Sequence, residues 1–257
     1  MKIYKKSNCK INLNLKIVGI KDGYHMLESV FCPISLYDDM TIEKDTEDIV
    51  VGMNIPLESN IIYKTIKLFK EKYNIKEGVK VTINKNVPMQ AGLGGGSSNA
   101  AFTIIGMNEL FDLGLSNDEM IEFGKQIGSD VPFFIINKPS FVQGRGEIIQ
   151  PLEKFDKIYG VLVFDDIYMS TKEVFNVYDS IINKQETEND LEQAVVKIEN
   201  GNKICDIKKF LLGCGCKSSL MSGAGGSVFG LCNKEELEGI YNKVSKKYLK
   251  TWKFESI

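Results

Sequence analysis

Over residues 10–18 the chain alternates, with Ile11, Leu13, Leu15 and Ile17 apolar and Lys10, Asn12, Asn14 and Lys16 polar. A period of two marks a half-buried strand. It sets Lys10 and Asn12 on one face, roughly 7 Å apart at their Cα atoms, so that they can share a site. Asp22-Gly23 follows as a turn signal, and residues 24–31 return as a second strand. Short strands are predicted at 40–44, 49–51 and 79–84. Between them, residues 60–72 place Ile61, Ile62, Thr65, Leu68 and Phe69 at helical spacing.

Residues 97–111 read as a helix capped by Ser97 or Ser98, and Ser116 with Glu119 forms a capping box that opens another. After Gly144-Arg145-Gly146 and Pro151, a buried-type strand at 158–164 begins a second domain. Helices are expected near 171–182, 190–199 and 234–248. Helices and strands mix without a regular βαβ repeat, which points to an α+β chain with domains at 1–150 and 151–257.

Composition narrows the function. A chain of 257 residues with 43% hydrophobic and 26% charged residues is globular. Its net charge of -2 gives no broad basic field for nucleic acid or an anionic membrane, so any anion is bound locally. No run approaches the ~18 apolar residues of a membrane span. The first ten residues carry four lysines and no apolar signal core. The cytoplasm is therefore the expected compartment. The six cysteines lack CxxC spacing and read as reduced thiols, and a single histidine, His25, excludes multi-histidine metal sites. A catalytic zinc or a redox cofactor has no support.

The chemistry concentrates in Pro88, Met89, Gln90, Ala91, Gly92, Leu93, Gly94, Gly95, Gly96, Ser97 and Ser98, between a predicted strand and a predicted helix. Glycines let backbone approach phosphate oxygens, and the first N–H groups and positive dipole end of the helix face the same anion. The segment is not a P-loop, because Gly96 rather than Lys precedes Ser97. It is not GxGxxG either, since Ser97 stands at the last position. Protein-kinase machinery is absent too, as the only histidine precedes Met26 rather than Arg-Asp.

The pattern PxxxGLGGGSSxAA resembles the phosphate-binding loop of the GHMP kinases, with Gln90 where that family usually carries a small residue. Lys10-Ile11-Asn12-Leu13, followed by Asp22-Gly23-Tyr24-His25, resembles the branch of that family in the methylerythritol phosphate route to isoprenoids. Gly128-Ser129-Asp130-Val131-Pro132-Phe133 resembles the segment that holds the family's catalytic base. A C-terminal glycine motif runs from Met221 to Phe229, with Ala224 where the family usually has a hydroxyl.

The resemblance implies a two-domain GHMP kinase fold, with mixed sheets packed with helices and the active site between the domains. It implies transfer of phosphate from ATP to the 2-hydroxyl of a cytidine diphosphate-linked methylerythritol. Asp130 would accept the proton, and Lys10 would hydrogen-bond both Asp130 and the γ-phosphate. Asn12 would bind substrate, Tyr24 and His25 would form one half of an aromatic grip on cytosine, and Phe175 and Thr171 the other. Asn60 would lie near the adenine. Mg²⁺ would accompany ATP, with Ser98 as a ligand. Small molecules are the only partners implied.

Taken singly, several of these residues have plain structural readings. Lys10 suits a solvated strand face, Asp130 a turn, Phe175 a helix core, and Asn60 an N-cap. Two other functions also stand: a GHMP kinase for homoserine or a mevalonate derivative, and a non-catalytic nucleotide-binding homologue. Tyr24 with His25 argues against the first, because those substrates carry no base to stack. The joint presence of Lys10 and Asp130 argues against the second.

Overall fold

A computed structural model describes all 257 residues. Seven strands form the first sheet: β1 (Lys2–Asn12), β2 (Lys16–Lys21), β3 (Tyr24–Asp45), β4 (Ile49–Val51), β5 (Gly78–Asn84), β6 (Ser140–Gly144) and β7 (Ile148–Pro151). The second sheet is antiparallel in the order β11-β8-β10-β9, from β8 (Tyr159–Phe164), β9 (Ser218–Met221), β10 (Ser227–Cys232) and β11 (Thr251–Glu255). The helices are α1 (Ile61–Lys72), α2 (Gly95–Leu110), α3 (Asn117–Gly124), α4 (Val131–Ile136), α5 (Thr171–Asp179), α6 (Glu192–Val195), α7 (Asn202–Cys214) and α8 (Leu237–Val244).

β3 is the spine of the first sheet. Thr41 pairs with Tyr4 of β1 on one edge and Thr82 of β5 on the other, while Glu28 pairs with Lys16 of β2 and Gln143 of β6. The two strands expected at 24–31 and 40–44 are thus parts of one. Pro33, which would break a regular strand, sits where the register between β1 and β3 shifts, the place a sheet tolerates proline.

The single strand expected over 10–18 is two. It breaks at Leu13 and Asn14, because Asn14 turns its carboxamide oxygen to the Val30 N–H and its carbonyl to the Ser29 hydroxyl. Lys10 and Asn12 still close β1 together.

Helix limits also move. α2 begins earlier than expected, and its N-cap is Gly94 at φ 66° rather than Ser97 or Ser98. The capping box at Ser116 forms as expected. On α1 the buried stripe is Ile62, Thr65, Ile66 and Phe69, and Leu68 is exposed. The helix expected over 190–199 shrinks to α6, and the one over 234–248 divides into a 3-10 turn and α8. α5 ends at Asp179, short of the 182 expected. α7, unanticipated, buries Ile204, Ile207, Leu211 and Cys214 along one face.

Each sheet packs its helices over its own core, and a third core joins the sheets. In it Cys9, Ile11 and Ile34 of the first sheet meet Leu162, Phe164, Phe229 and Phe254 of the second. Ala91 and Leu93 of the glycine-rich segment are buried in the same core. The chain end closes the joint, since Glu255 N–H donates to Ser35 Oγ and Ile257 N–H to the Pro33 carbonyl. All six cysteines are free thiols, and burial pushes the Cys32 and Cys216 thiols up to about 12, so neither ionises at neutral pH.

The polar centre of the first half is Asp38 on β3, fully buried. One carboxylate oxygen accepts the N–H groups of Asn86 and Val87, both at 2.8 Å. The other accepts Lys85 Nζ at 2.6 Å and Asn99 Nδ2, on α2, at 2.9 Å. Four donors offset the desolvation of the charge and tie the chain just before the glycine-rich loop to the helix just after it. Asp38→Ala strips these donors of their acceptor. It should lower unfolding free energy by about 3–5 kcal/mol, read from urea denaturation. A loss under about 1 kcal/mol would show that the network carries no such weight.

Candidate active site

The glycine-rich loop passes between the two sheets, and its turns are set by steric need. At Gly92 φ is 74°, and a Cβ would lie 2.1 Å from the Ser222 carbonyl oxygen and 2.8 Å from that of Gly225. Only glycine fits a left-handed turn pressed backbone to backbone against the C-terminal motif. Ser222 Oγ donates to the Gly92 carbonyl at 3.0 Å, and Ser227 N–H to that of Ala91 at 3.1 Å. Gln90, the departure from the family pattern, also adopts a left-handed φ of 54°.

The loop ends at α2, where Ser98 N–H makes a helical bond to Gly94 O. The N–H groups of Gly95, Gly96 and Ser97 precede that bond and form the positive end of the helix. These three residues line a cleft of about 1480 Å³. That is larger than a pocket for one drug-sized ligand, so the space admits two nucleotide-sized ones.

On the cleft floor, Lys10 is buried, with Nζ donating to Asn12 Oδ1 at 2.5 Å and to the Gly92 carbonyl at 3.2 Å. Its ammonium also lies 4.6 Å from the centre of the Phe31 ring. Burial lowers the Lys10 pKa, and the charge of Asp130 acts in the opposite direction. The direct hydrogen bond expected between Lys10 and Asp130 is absent, because Asn12 and Gly92 hold the ammonium. Asn12 in turn donates to Ser29 Oγ at 3.0 Å, so its amide oxygen is kept toward Lys10. Asp130 precedes α4 and lines the same cleft.

The aromatic residues gather at one end. His25 and Phe175 stack on each other, with ring centroids 4.6 Å apart and planes at 26°. The expected grip, with His25 on one side of a base and Phe175 on the other, is closed on itself. His25 Nε2 is 2.7 Å from Asp179 Oδ1, and the Arg145 guanidinium lies 3.7 Å from the centre of the Tyr24 ring. Thr171, at the start of α5, lines the same end.

One expectation changes at residue level. Ser98 is fully buried, paired with Ser7 Oγ at 2.7 Å and donating to the Asn8 carbonyl at 2.6 Å. Its hydroxyl turns toward β1 and away from any metal in the cleft, whereas Ser97 lines the cleft. Asn60 serves as the N-cap of α1, accepting the Ile62 N–H at 2.9 Å, and lines the cleft as well. Lys85 also lines the cleft and was not anticipated, although its place three residues before Pro88 was a usable signal.

The fold and the sequence both have known relatives. Residues 60–138 match the GHMP kinases N terminal domain, and residues 188–250 match GHMP kinases C terminal. The 4-diphosphocytidyl-2-C-methyl-D-erythritol kinase of Clostridium tetani is 40% identical, over 95% of this chain and 96% of its own. The enzyme of the same name from Clostridioides difficile is 38% identical, over 95% and 91%. Among solved structures, a 4-(cytidine 5'-diphospho)-2C-methyl-D-erythritol kinase superposes with a TM-score of 0.85 at 23% identity, over 99% of both chains. The Methanococcus jannaschii mevalonate kinase superposes at 0.76 and 16% identity, over 100% of this chain and 99% of its own.

Gly92→Ala tests the loop contact. The added methyl must separate the loop from Ser222 at a strain of roughly 1–3 kcal/mol. ATP binding should weaken by about tenfold or more in calorimetry, since ~1.4 kcal/mol is one decade. Unchanged affinity would mean that the Gly92 turn is dispensable.

Proposed function

The chain belongs to the 4-diphosphocytidyl-2-C-methyl-D-erythritol kinases of the GHMP kinase family, and we propose that its cleft moves the γ-phosphoryl group of ATP to the 2-hydroxyl of 4-diphosphocytidyl-2-C-methyl-D-erythritol. One observation carries the reading: the glycine-rich loop, Lys10, Asp130 and the ring cluster of Tyr24, His25 and Phe175 all line a single cleft. The phosphate end and the aromatic end fit the two ends of such a reaction.

Phosphoryl transfer passes through a loose transition state, so catalysis is mainly positioning and charge stabilisation. The free N–H groups at the start of α2 and the glycine backbone receive the phosphates of ATP. Lys10, fixed by Asn12 and Gly92, places a positive charge on the floor of the cleft. Asp130 orients the acceptor hydroxyl and takes its proton as the new P–O bond forms. The alcohol must be aligned before its proton is lost, so orientation contributes alongside deprotonation. Asn60 borders the nucleotide side of the cleft. Tyr24, His25, Thr171 and Phe175 receive the cytidine, whose edge is read by hydrogen bonds because every base offers a similar stacking face.

No cluster of three or more His, Cys, Asp or Glu stands ready to hold a metal. That suits Mg²⁺, which binds through substrate phosphates with one or two protein oxygens. Ser97 is the cleft residue that would complete its shell, and when bound it would neutralise phosphate charge. No helix of the structure is long and apolar enough to cross a membrane. With free thiols and ATP as co-substrate, the cytoplasm is the compartment we assign. Residues 1–150 and 151–257 are the two domains we assign to the cleft walls.

Purified protein with ATP and Mg²⁺ should release ADP fastest with the cytidyl alcohol. Faster release with mevalonate or homoserine would overturn the substrate, and no release with any alcohol would overturn the kinase. Asp130→Asn should lower kcat by about 10²–10⁴-fold while ATP affinity holds, as expected for a residue acting on the transferred proton. Tyr24→Ala should instead raise KM for the cytidyl substrate by about tenfold, from lost stacking of roughly 1–3 kcal/mol.

A further inference from the structure

The C-terminal glycine turn, residues 222–226, leaves β9, the edge strand of the second sheet. Three of its residues stand at positive φ: Gly223 at 58°, Gly225 at 127° and Gly226 at 90°. Glycine reaches many other conformations as easily, so contacts from outside must select this one. Ser222 N–H donates to the Ser227 carbonyl and Gly225 N–H to the Ser222 carbonyl, which closes the turn. The N–H groups of Gly223 and Ala224 donate to no protein acceptor, and both residues line the cleft. Gly223 lies beside the Lys10 site. A Cβ there would be 2.9 Å from the Gly92 carbonyl oxygen and 3.4 Å from Asn12 Oδ1, the atom that holds Lys10.

Asn189 makes the selecting contacts. It is 1% exposed, and its Nδ2 donates to the Met221 and Gly223 carbonyls, both at 2.9 Å. Its Oδ1 accepts the Leu191 N–H at 3.1 Å, which fixes the carboxamide in that direction. Glu192 Oε1 accepts the Met221 N–H at 2.8 Å, so both backbone groups of Met221 are held from the same segment. The segment is itself tied to the first half of the chain, since Leu15 N–H donates to the Glu188 carbonyl at 2.8 Å and Asp190 N–H to the Leu15 carbonyl at 2.9 Å. In a trans peptide the carbonyl and the following N–H point opposite ways. Asn189 draws the Gly223 carbonyl to the buried side, and the Ala224 N–H is thereby turned to the cleft side.

We propose that Asn189, which touches no substrate, is a positioning residue for phosphoryl transfer: by holding the Gly223 carbonyl it aims the free N–H groups of the glycine turn at oxygens of the reacting phosphoryl group beside Lys10. This role rests on the kinase reading of the cleft. Donors fixed in advance where charge develops stabilise the transition state without reorganising as it forms. A turn released from Asn189 keeps its N–H groups and loses their direction.

Two variants test it. Asn189→Asp keeps the shape of the side chain and sets an acceptor against two carbonyls, whereas Asn189→Ala removes the donors and adds no charge. In both, kcat should fall by about tenfold to a hundredfold, less than the 10²–10³ that deleting such a donor costs, because the N–H groups are misdirected and not lost. Calorimetry separates this from damage to the cleft. Affinity for ADP with Mg²⁺ should hold within about twofold, while ADP with Mg²⁺, aluminium fluoride and the cytidyl alcohol, which mimics the planar group in transfer, should weaken by the same factor as kcat. Equal weakening of ADP and of the fluoride complex would make Asn189 a support of the whole cleft and overturn the proposal. A wild-type kcat in Asn189→Ala would overturn it as well, by tracing any loss in Asn189→Asp to the added charge. Wild-type turnover of the cytidyl substrate separates the two levels of failure. Its absence removes the kinase reading and this role together, whereas normal turnover with either overturning result removes the role of Asn189 alone.

Discussion

Everything in the cleft depends on where the glycine-rich loop begins and ends, and one buried carboxylate sets both. Asp38 holds the Asn86 and Val87 N–H groups at the start of the loop and Asn99 at its far side. A fully buried charge is costly unless its lone pairs are filled, and here four donors fill them. The geometry that satisfies the carboxylate is therefore the geometry that fixes the loop. With both ends anchored, the free N–H groups at the start of α2 face the cleft before any phosphate arrives, and little ordering cost remains for binding.

The loop has a second support on the opposite side. Its apolar residues Ala91 and Leu93 are embedded in the core that joins the two sheets. Gly92 meets the backbone of Ser222 and Gly225 there, and Asn189 secures that motif through the Met221 and Gly223 carbonyls, both at 2.9 Å. The shared core thus separates the duties of alternate loop residues. Ala91 and Leu93 bind the two sheets together, and the glycines that follow leave backbone open to the cleft. The Ala224 departure fits this picture, because backbone packing and the Ser222 hydroxyl make the observed contacts of this motif to the loop without a hydroxyl at 224.

The parts of this site legible in the sequence are those whose signal is local. The loop announced itself by four glycines within residues 92–96, and the alternation over 10–18 set Lys10 and Asn12 on one face although it ran across the break between β1 and β2. The capping box at Ser116 is a three-residue rule and formed as such. The Asp38 network was silent, because its partners lie 47 to 61 positions away and an Asp-Asp pair at residues 38 and 39 reads as solvated surface. Ser98 misled for a geometric reason. One residue along a helix is a rotation of about 100°, which carries Ser97 to the cleft and Ser98 to β1. The long β3 was hidden by Pro33, whose place at a register shift is a property of the pairing and not of the local sequence.

The contact between His25 and Phe175 shows how a ligand-free grip can be ordered and still open. Rings that sandwich a base must stand about 7 Å apart, twice a normal stacking separation, and these stand 4.6 Å apart. His25 is joined to α5 twice, by its stack on Phe175 and by Asp179 one helical turn further on, so the hairpin of β2 and β3 is clasped to the second half of the chain. A base inserted between the rings gives up one stack of about 0.5–1.5 kcal/mol. It gains stacking of roughly 1–3 kcal/mol in return, and the hydrogen bond to Asp179 can persist while Phe175 moves. The exchange is nearly balanced. Stacking alone therefore holds a cytidine only weakly in this cleft, and firm binding has to come from polar groups at its edge and along the chain that links it to Asp130.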